Sequence, residues 1–337
     1  MAHQLPSAAG REDRDQVRLR STTGCSQRQG TVSVTLFTQP GPDTIRAWDR
    51  LVDDTPGGDV TQLSAWPGVR RRAGFLPLYL LAWQDDRLVG GALVLQRHVP
   101  THGLVGYLQH GPMIATWGPR AATVHALSTA LAELGRRHLA GLIVAPPEGA
   151  DDVSDRFLEL GFRPSAAGIA PESSTRIDLA PDVEDLRDGL TTSTRRGAGN
   201  RADRDVTVRL GCERDLPVLT DLLAHDAEHQ HVSLDYLATL YQELAPGAHV
   251  QVLIAELDGV VVAAELFTVC GGVLKARLKG IQHSGPARRS GADATLEWHA
   301  MLWAKAKGCH TFDHGGLPAS FGGRPFHYPA QVELIGA

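Results

Sequence analysis

Leu78-Tyr79-Leu80-Leu81-Ala82-Trp83 runs through Asp85-Asp86 into Leu88-Val89-Gly90-Gly91-Ala92-Leu93-Val94-Leu95, and this stretch decides the fold. Two apolar runs joined by a short acidic turn predict an antiparallel β-hairpin. Far downstream, Val252-Leu253-Ile254-Ala255-Glu256 passes through Asp258-Gly259 into Val260-Val261-Val262-Ala263-Ala264-Glu265-Leu266-Phe267, a second hairpin of the same style. On this reading the turn at Asp86 corresponds to the turn at Asp258.

The order of elements also repeats outward from each hairpin. Ala121 to His138 reads as an apolar helix, followed by Gly141 and the strand Leu142-Ile143-Val144. Ala294 to Lys307, Gly308 and His310-Thr311-Phe312-Asp313 repeat that order. A repeat this long is a domain duplication rather than a solenoid. Antiparallel strands, then a helix, then a further strand are the order expected of a GNAT-type acyltransferase core. The expected fold class is therefore α/β (α+β), with two tandem GNAT-like domains, each a mixed, mostly antiparallel sheet flanked by helices. The expected boundaries are a disordered extension over 1–30, a first domain over 31–165 completed by about 322–337, and a second over 166–321. Pro171 to Arg204 would link the halves, with a strand at Ser174–Leu179 and a charged helix from Val183 to about Arg195.

At 337 residues, with 42% hydrophobic residues, the chain is long enough for two cores. The net charge of −5 and the dispersed 33 Lys and Arg do not demand a nucleic-acid partner, although a local basic groove can still bind RNA. Cys25, Cys212, Cys270 and Cys309 are scattered without a CxxC pair, which predicts reduced thiols in a cytoplasmic protein. Met1 to Gly30 is polar and Arg-rich, unlike a signal peptide or membrane anchor.

Gln62-x-x-x-Trp66-x-x-Val69-Arg70, Tyr107-Leu108-Gln109-His110-Gly111-Pro112, Thr175-Arg176-Ile177-Asp178-Leu179, Arg195-Arg196, Tyr236 with Leu240, and Trp298 with Asp313-x-Gly315-Gly316 follow one another in order. This series of landmarks resembles the Fem family of aminoacyl-tRNA-dependent peptidyltransferases over about residues 33 to 328. The resemblance implies two GNAT-like domains with a cleft between them. It also implies transfer of an amino acid from an aminoacyl-tRNA ester to the free amine of a peptide-like acceptor. No cofactor or metal is implied, aminoacyl-tRNA being the co-substrate, and neither DNA nor integral membrane association is expected. The candidate substrate-binding positions are Trp66, Arg70, Tyr107, His110, Gly111, Pro112, Tyr236 and, in place of a missing lysine, Arg324; the candidate tRNA contacts are Arg195, Arg196, Arg288 and Arg289.

The departures fall where members acting on cell-wall precursors grip phosphates. Arg70 replaces a lysine, His231 and Val232 stand where an arginine is frequent before the tyrosine, Ala319-Ser320 replaces a Phe-Lys, and Ala115-Thr116 replaces an acidic position. They tilt the expected acceptor from a peptidoglycan stem peptide toward a peptide antibiotic precursor.

An aminoacyl ester is already activated, so its transfer needs alignment, an oxyanion donor and a route for the amine proton. Lys279, after a strand-like segment, is expected near the cleft as a candidate for the oxyanion or an RNA phosphate, the alternative being a solvated strand-end lysine. His314 is a candidate general base or a plain loop histidine, and Asp313 beside it is the third catalytic candidate. Two rivals belong to other chemistry. An acetyl-CoA-dependent N-acetyltransferase would cradle pyrophosphate at Arg288-Arg289-Ser290-Gly291-Ala292-Asp293, where Asp293 repels phosphate. His225-Asp226-Ala227-Glu228-His229 satisfies a zinc-peptidase pattern if both histidines share a helix face. A non-catalytic domain that binds peptide or tRNA is the third alternative.

Overall fold

Strand alternation puts apolar side chains on both faces of each hairpin, so each sheet must be covered twice. The computed structural model describes residues 17–19, 31–190, 206–226, 229–282, 290–315 and 323–336, and it shows that double cover. In the strand Leu76–Gln84 (β3), Leu78, Leu80 and Ala82 enter one core while Tyr79 and Leu81 enter another. In Val250–Leu257 (β11), Val252 and Ile254 face the same inner core as Leu81, and Leu253 and Ala255 face a third.

The first sheet runs Val17–Leu19 (β1), Val32–Phe37 (β2), β3, Arg87–Val99 (β4), Gly103–Gln109 (β5), Gly141–Ala145 (β7), Val332–Ile335 (β16) and Arg163–Pro164 (β8), with Met113–Ile114 (β6) paired to β4. The second runs Val206–Gly211 (β10), β11, Val260–Cys270 (β12), Val273–Ile281 (β13), Thr311–Asp313 (β14), Ser173–Asp178 (β9) and Arg324–His327 (β15). Helices Arg120–His138 (α3) and Asp151–Glu159 (α4) pack outside the first sheet, and Ala292–Ala306 (α8), with Leu186 of Val183–Asp188 (α5), packs outside the second. Between the sheets lie Pro42–Asp54 (α1), Trp66–Arg70 (α2), Leu216–Leu223 (α6) and Leu234–Leu244 (α7). Trp48, Leu51 and Trp66 meet Leu219, Leu237 and Leu266 in one continuous middle core. Burying such side chains contributes roughly 1.5–3 kcal/mol each, which fuses the two units.

The duplication extends to irregularities. Each hairpin carries a bulge three residues before its turn, at Ala82/Trp83 and at Ala255/Glu256. Each turn opens with an aspartate at positive φ, Asp85 at 54° and Asp258 at 52°. The structural equivalent of Asp258 is thus Asp85, one residue before the expected Asp86.

Three other expectations change. The segment expected to be wholly disordered over 1–30 contains β1, whose alternating Val17-Arg18-Leu19 pairs with the edge of β2. The tail expected to complete the first domain is shared: β15 joins the second sheet through β9, and β16 enters the first between β7 and β8. The helix expected from Val183 to about Arg195 ends at Asp188 within the described residues, and Arg195 and Arg196 lie outside them.

Candidate functional site

The two copies differ where their parallel strands meet. In the first, β5 and β7 pair from Val105 opposite Gly141 to Gln109 opposite Ala145, down to the last residue of both strands. In the second, β13 and β14 pair only from Val273 opposite Thr311 to Lys275 opposite Asp313. From Ala276 to Ile281 the β14-side edge of β13 has no strand partner among the described residues. Unpaired backbone donors and acceptors along that edge can receive an extended ligand.

A bulge beside Leu266 and Phe267 makes Arg277 the extra residue of β13 and reverses side-chain parity there. Lys275 and Arg277 consequently face the seam between the sheets, and Lys279 faces α8 on the opposite side. In the seam, Lys275 Nζ donates to Asp59 Oδ2 at 2.7 Å, and Arg277 Nη2 donates to both Asp59 oxygens at 3.0 and 2.9 Å. Burial pushes the Asp59 carboxyl up, but Arg277 and Lys275 outweigh it and hold the carboxyl well below its ordinary range. His110 Nε2 sits 3.9 Å from Asp59 Oδ2, and burial lowers its pKa to about 3, so its ring is neutral.

Asp313 anchors the neighbouring end of the seam. It accepts from Ser174 Oγ, from Arg176 Nε at 3.0 Å, from Tyr328 Oη at 3.2 Å and from the Gly315 amide at 2.9 Å. Arg176 also pairs with Glu148 and lies 3.6 Å from the centroid of the Phe326 ring. These bonds, led electrostatically by Lys275, keep the Asp313 carboxyl below its usual value despite burial.

Beside the seam lies a groove of about 490 Å³ lined by Trp66, Arg70, Tyr236, Arg277, Leu278 and neighbours. The volume suits a small-molecule or peptide fragment. Its lining includes Arg70, Arg277, His229 and His231 but, among the described residues, no carboxylate. The buried Trp66 Nε1–H has no acceptor among the described residues. Arg70 stacks over Phe75 at 4.8 Å, and Ser233 caps α7 by accepting from the Tyr236 amide at 3.2 Å.

The crystal structure of FemX superposes with a TM-score of 0.76 over 86% of this chain and 96% of that one, at 15% identity. The chain carries the Fem-type tandem GNAT fold. The same tandem arrangement appears in a tandem GNAT protein from the clavulanic acid biosynthesis pathway, at TM-score 0.52 and 13% identity, covering 90% of this chain and 98% of that one. The structure of L-PGS from Bacillus licheniformis matches at TM-score 0.51 and 14% identity over 87% of this chain and 79% of that one. Residues 192–326 match the acetyltransferase (GNAT) domain family model. No curated protein matches the chain in sequence. The expected fold class, two GNAT-like units with helix-flanked mixed sheets, is the one observed.

Within the Fem-type fold, Trp66, Arg70 and Tyr236 come together in the groove. His110 lies in the seam, whereas Tyr107 stacks edge-on to Phe75 at 5.5 Å and is braced by Arg97. Gly111-Pro112 is a cis peptide whose glycine amide donates to Ala145 O at 3.3 Å. Arg324 is exposed on edge strand β15 and takes no part in the groove. The catalytic trio does not assemble. Asp313 is a buried anchor of the seam, while Lys279 and His314 lie together under α8 with Glu297. Lys279 was expected in the cleft, and the bulge at Arg277 turns it away. Arg288 and Arg289 lie outside the described residues.

Lys275, Arg277 and Asp59 were missed. Their only sequence signal was the alternation Lys275, Arg277, Lys279, in which a bulge cannot be seen. The zinc-peptidase pattern loses its helix, because α6 ends at Leu223, before His225, and Glu228 lies outside the described residues. Among the described residues no group of His, Cys, Asp or Glu is placed to hold a metal, and no helix is long and apolar enough to cross a membrane.

Proposed function

We propose that the chain is an acyltransferase that moves an amino acid from aminoacyl-tRNA to the free amine of a peptide-like acceptor. The observation that carries this reading is the open edge of β13 from Ala276 to Ile281, present in the second copy and closed in the first, with the groove on its inner face. The acceptor occupies the groove, its apolar part against Trp66, Leu240 and Leu278 and an anionic group toward Arg70. The donor ester lies along the open edge. The acceptor amine attacks the ester carbonyl, the C–O bond to the ribose breaks, and the amine proton leaves with the ribose hydroxyl, directly or through water. The backbone N–H groups of the edge are available to the oxyanion. Such a reaction needs alignment more than a nucleophile.

The FemX and L-PGS folds support an acyltransferase, and the acceptor class is our own inference. Val232 lines the groove where an arginine is frequent in the resembled family, which favours a peptide antibiotic precursor over a diphosphate-linked stem peptide. Arg195, Arg196, Arg288 and Arg289 are assigned to the tRNA backbone, and a cytoplasmic location follows from that donor.

The deciding assay incubates the protein with charged total tRNA, or with acetyl-CoA in parallel, and a panel of free-amine peptides, with and without RNase. An RNase-sensitive mass gain of one amino acid supports the proposal. RNase-insensitive acetylation replaces it with an ordinary N-acetyltransferase.

A further inference from the structure

On the face of the second sheet turned away from the groove, a carboxyl is buried without a hydrogen-bond partner. Glu265 of β12 is 0% exposed, and neither of its oxygens is bonded among the described residues. It shares its face with the apolar Ala263 and Phe267 and stands directly opposite Lys279 of β13. Lys279 Nζ, however, pairs with Glu297 of α8, whose other oxygen lies 3.5 Å from His314 Nδ1. Asp293 on the first turn of α8 adds a further negative charge nearby.

A lone buried carboxyl is expensive, and an apolar residue would serve the core better. The charges are also unbalanced. Two glutamates face one lysine, because burial holds His314 near 4 and therefore neutral. Burial drives the Glu265 carboxyl well above its ordinary range against the pull of Lys279, which favours its protonated form. Lys279, with 15% of its side chain exposed, is the part of this charged pair that reaches solvent. It also belongs to the stretch of β13 whose edge is open.

We infer that Glu265, backed by the Glu297–Lys279 pair, receives the α-ammonium of the amino acid carried by the donor. The inference rests on the aminoacyl-tRNA reading above and deepens it. The donor's acyl carbon lies on the open edge, reachable from the groove on one face, while its ammonium is held on the other. On binding, the Glu265 proton leaves to solvent and the carboxylate pairs with the ammonium, giving two acids and two cations. The buried cluster thereby distinguishes an aminoacyl ester from any acyl group without an amine.

The test uses total tRNA charged with radiolabelled amino acids, half of it deaminated by nitrous acid to α-hydroxyacyl-tRNA, with the free-amine peptide panel as acceptors. The wild-type protein should use the aminoacyl form about 10- to 100-fold better in kcat/KM, the range of a charge-assisted hydrogen bond. In Glu265→Gln, or in Glu265→Met should the amide not fold, that ratio should fall to near one. Equal use of both donors by the wild type, or a wild-type ratio in a folded variant, overturns the inference and leaves the tRNA reading standing. Transfer from neither donor removes both.

Discussion

Arg277 donates to both carboxylate oxygens of Asp59, at 3.0 and 2.9 Å, although one residue belongs to the second sheet and the other precedes the first 3-10 turn of the opposite unit. Lys275 completes the clasp, and only 4% of the Asp59 side chain is exposed. Asp59→Asn should leave the buried Lys275 and the partly buried Arg277 short of a partner and cost about 3 kcal/mol. The folded-state pKa of Asp59 is depressed, so its contribution is complete above the ordinary carboxyl value near 4 and is lost as pH falls further. Chemical denaturation at pH 7 and at pH 3 checks this: the penalty of the variant should be large at the first and shrink at the second.

Two buried histidines act at milder acidity. His314 is held near 4 and His110 near 3, both first by burial. Below an unfolded value of about 6.5, the unfolded chain binds protons that the folded chain refuses, so stability rises with pH from about 4 to 6.5. His314→Gln should flatten that slope by up to about 1.4 kcal/mol per pH unit. Thermal melts across the window measure it.

The groove predicts a division between kinetic constants. Arg70→Met keeps an unbranched side chain and removes the guanidinium that lies over Phe75, and Trp66→Phe keeps most of the packing and removes the unpaired N–H. Each should raise the acceptor KM, the first by about tenfold or more, with little change in kcat. Steady-state kinetics with the acceptor varied would show it, and a pure kcat loss would place the acceptor elsewhere.

Gly315 guards the mouth of the open edge. Its φ is +62°, and an added Cβ would lie 2.5 Å from the carbonyl oxygen of Ala276, the first unpaired residue of β13. Gly315→Ala should cost about 1–3 kcal/mol of backbone strain and lower kcat/KM by displacing that edge. Melting temperature and single-substrate rates check the two effects, and an unaltered variant would show a wider mouth than the one described.

The duplicated hairpins, the long helices and the closing strands were legible because period-2 and helical patterns are local. Trp66, Arg70 and Tyr236 were legible as ordered landmarks, and the groove joins them through the packing of α2 on α7. The side of the sheet on which Lys279 lies was not legible. One extra residue at Arg277 inverts the face of everything after it, and nothing in the letters marks the insertion. Asp59 was equally silent, since its two cations arrive from more than two hundred residues away.

The split tail also governs how the molecule is made. Val332 pairs with Val144, and Phe326 with Ser174, so each sheet waits for a segment that follows the other strands of both units in the chain. A nascent chain that has emerged through its first hairpin, helix and parallel strand still holds β7 with one side bare. The amino-terminal unit therefore cannot mature on the ribosome ahead of the other. Both should melt in a single cooperative transition, and neither half should be a stable protein when produced alone.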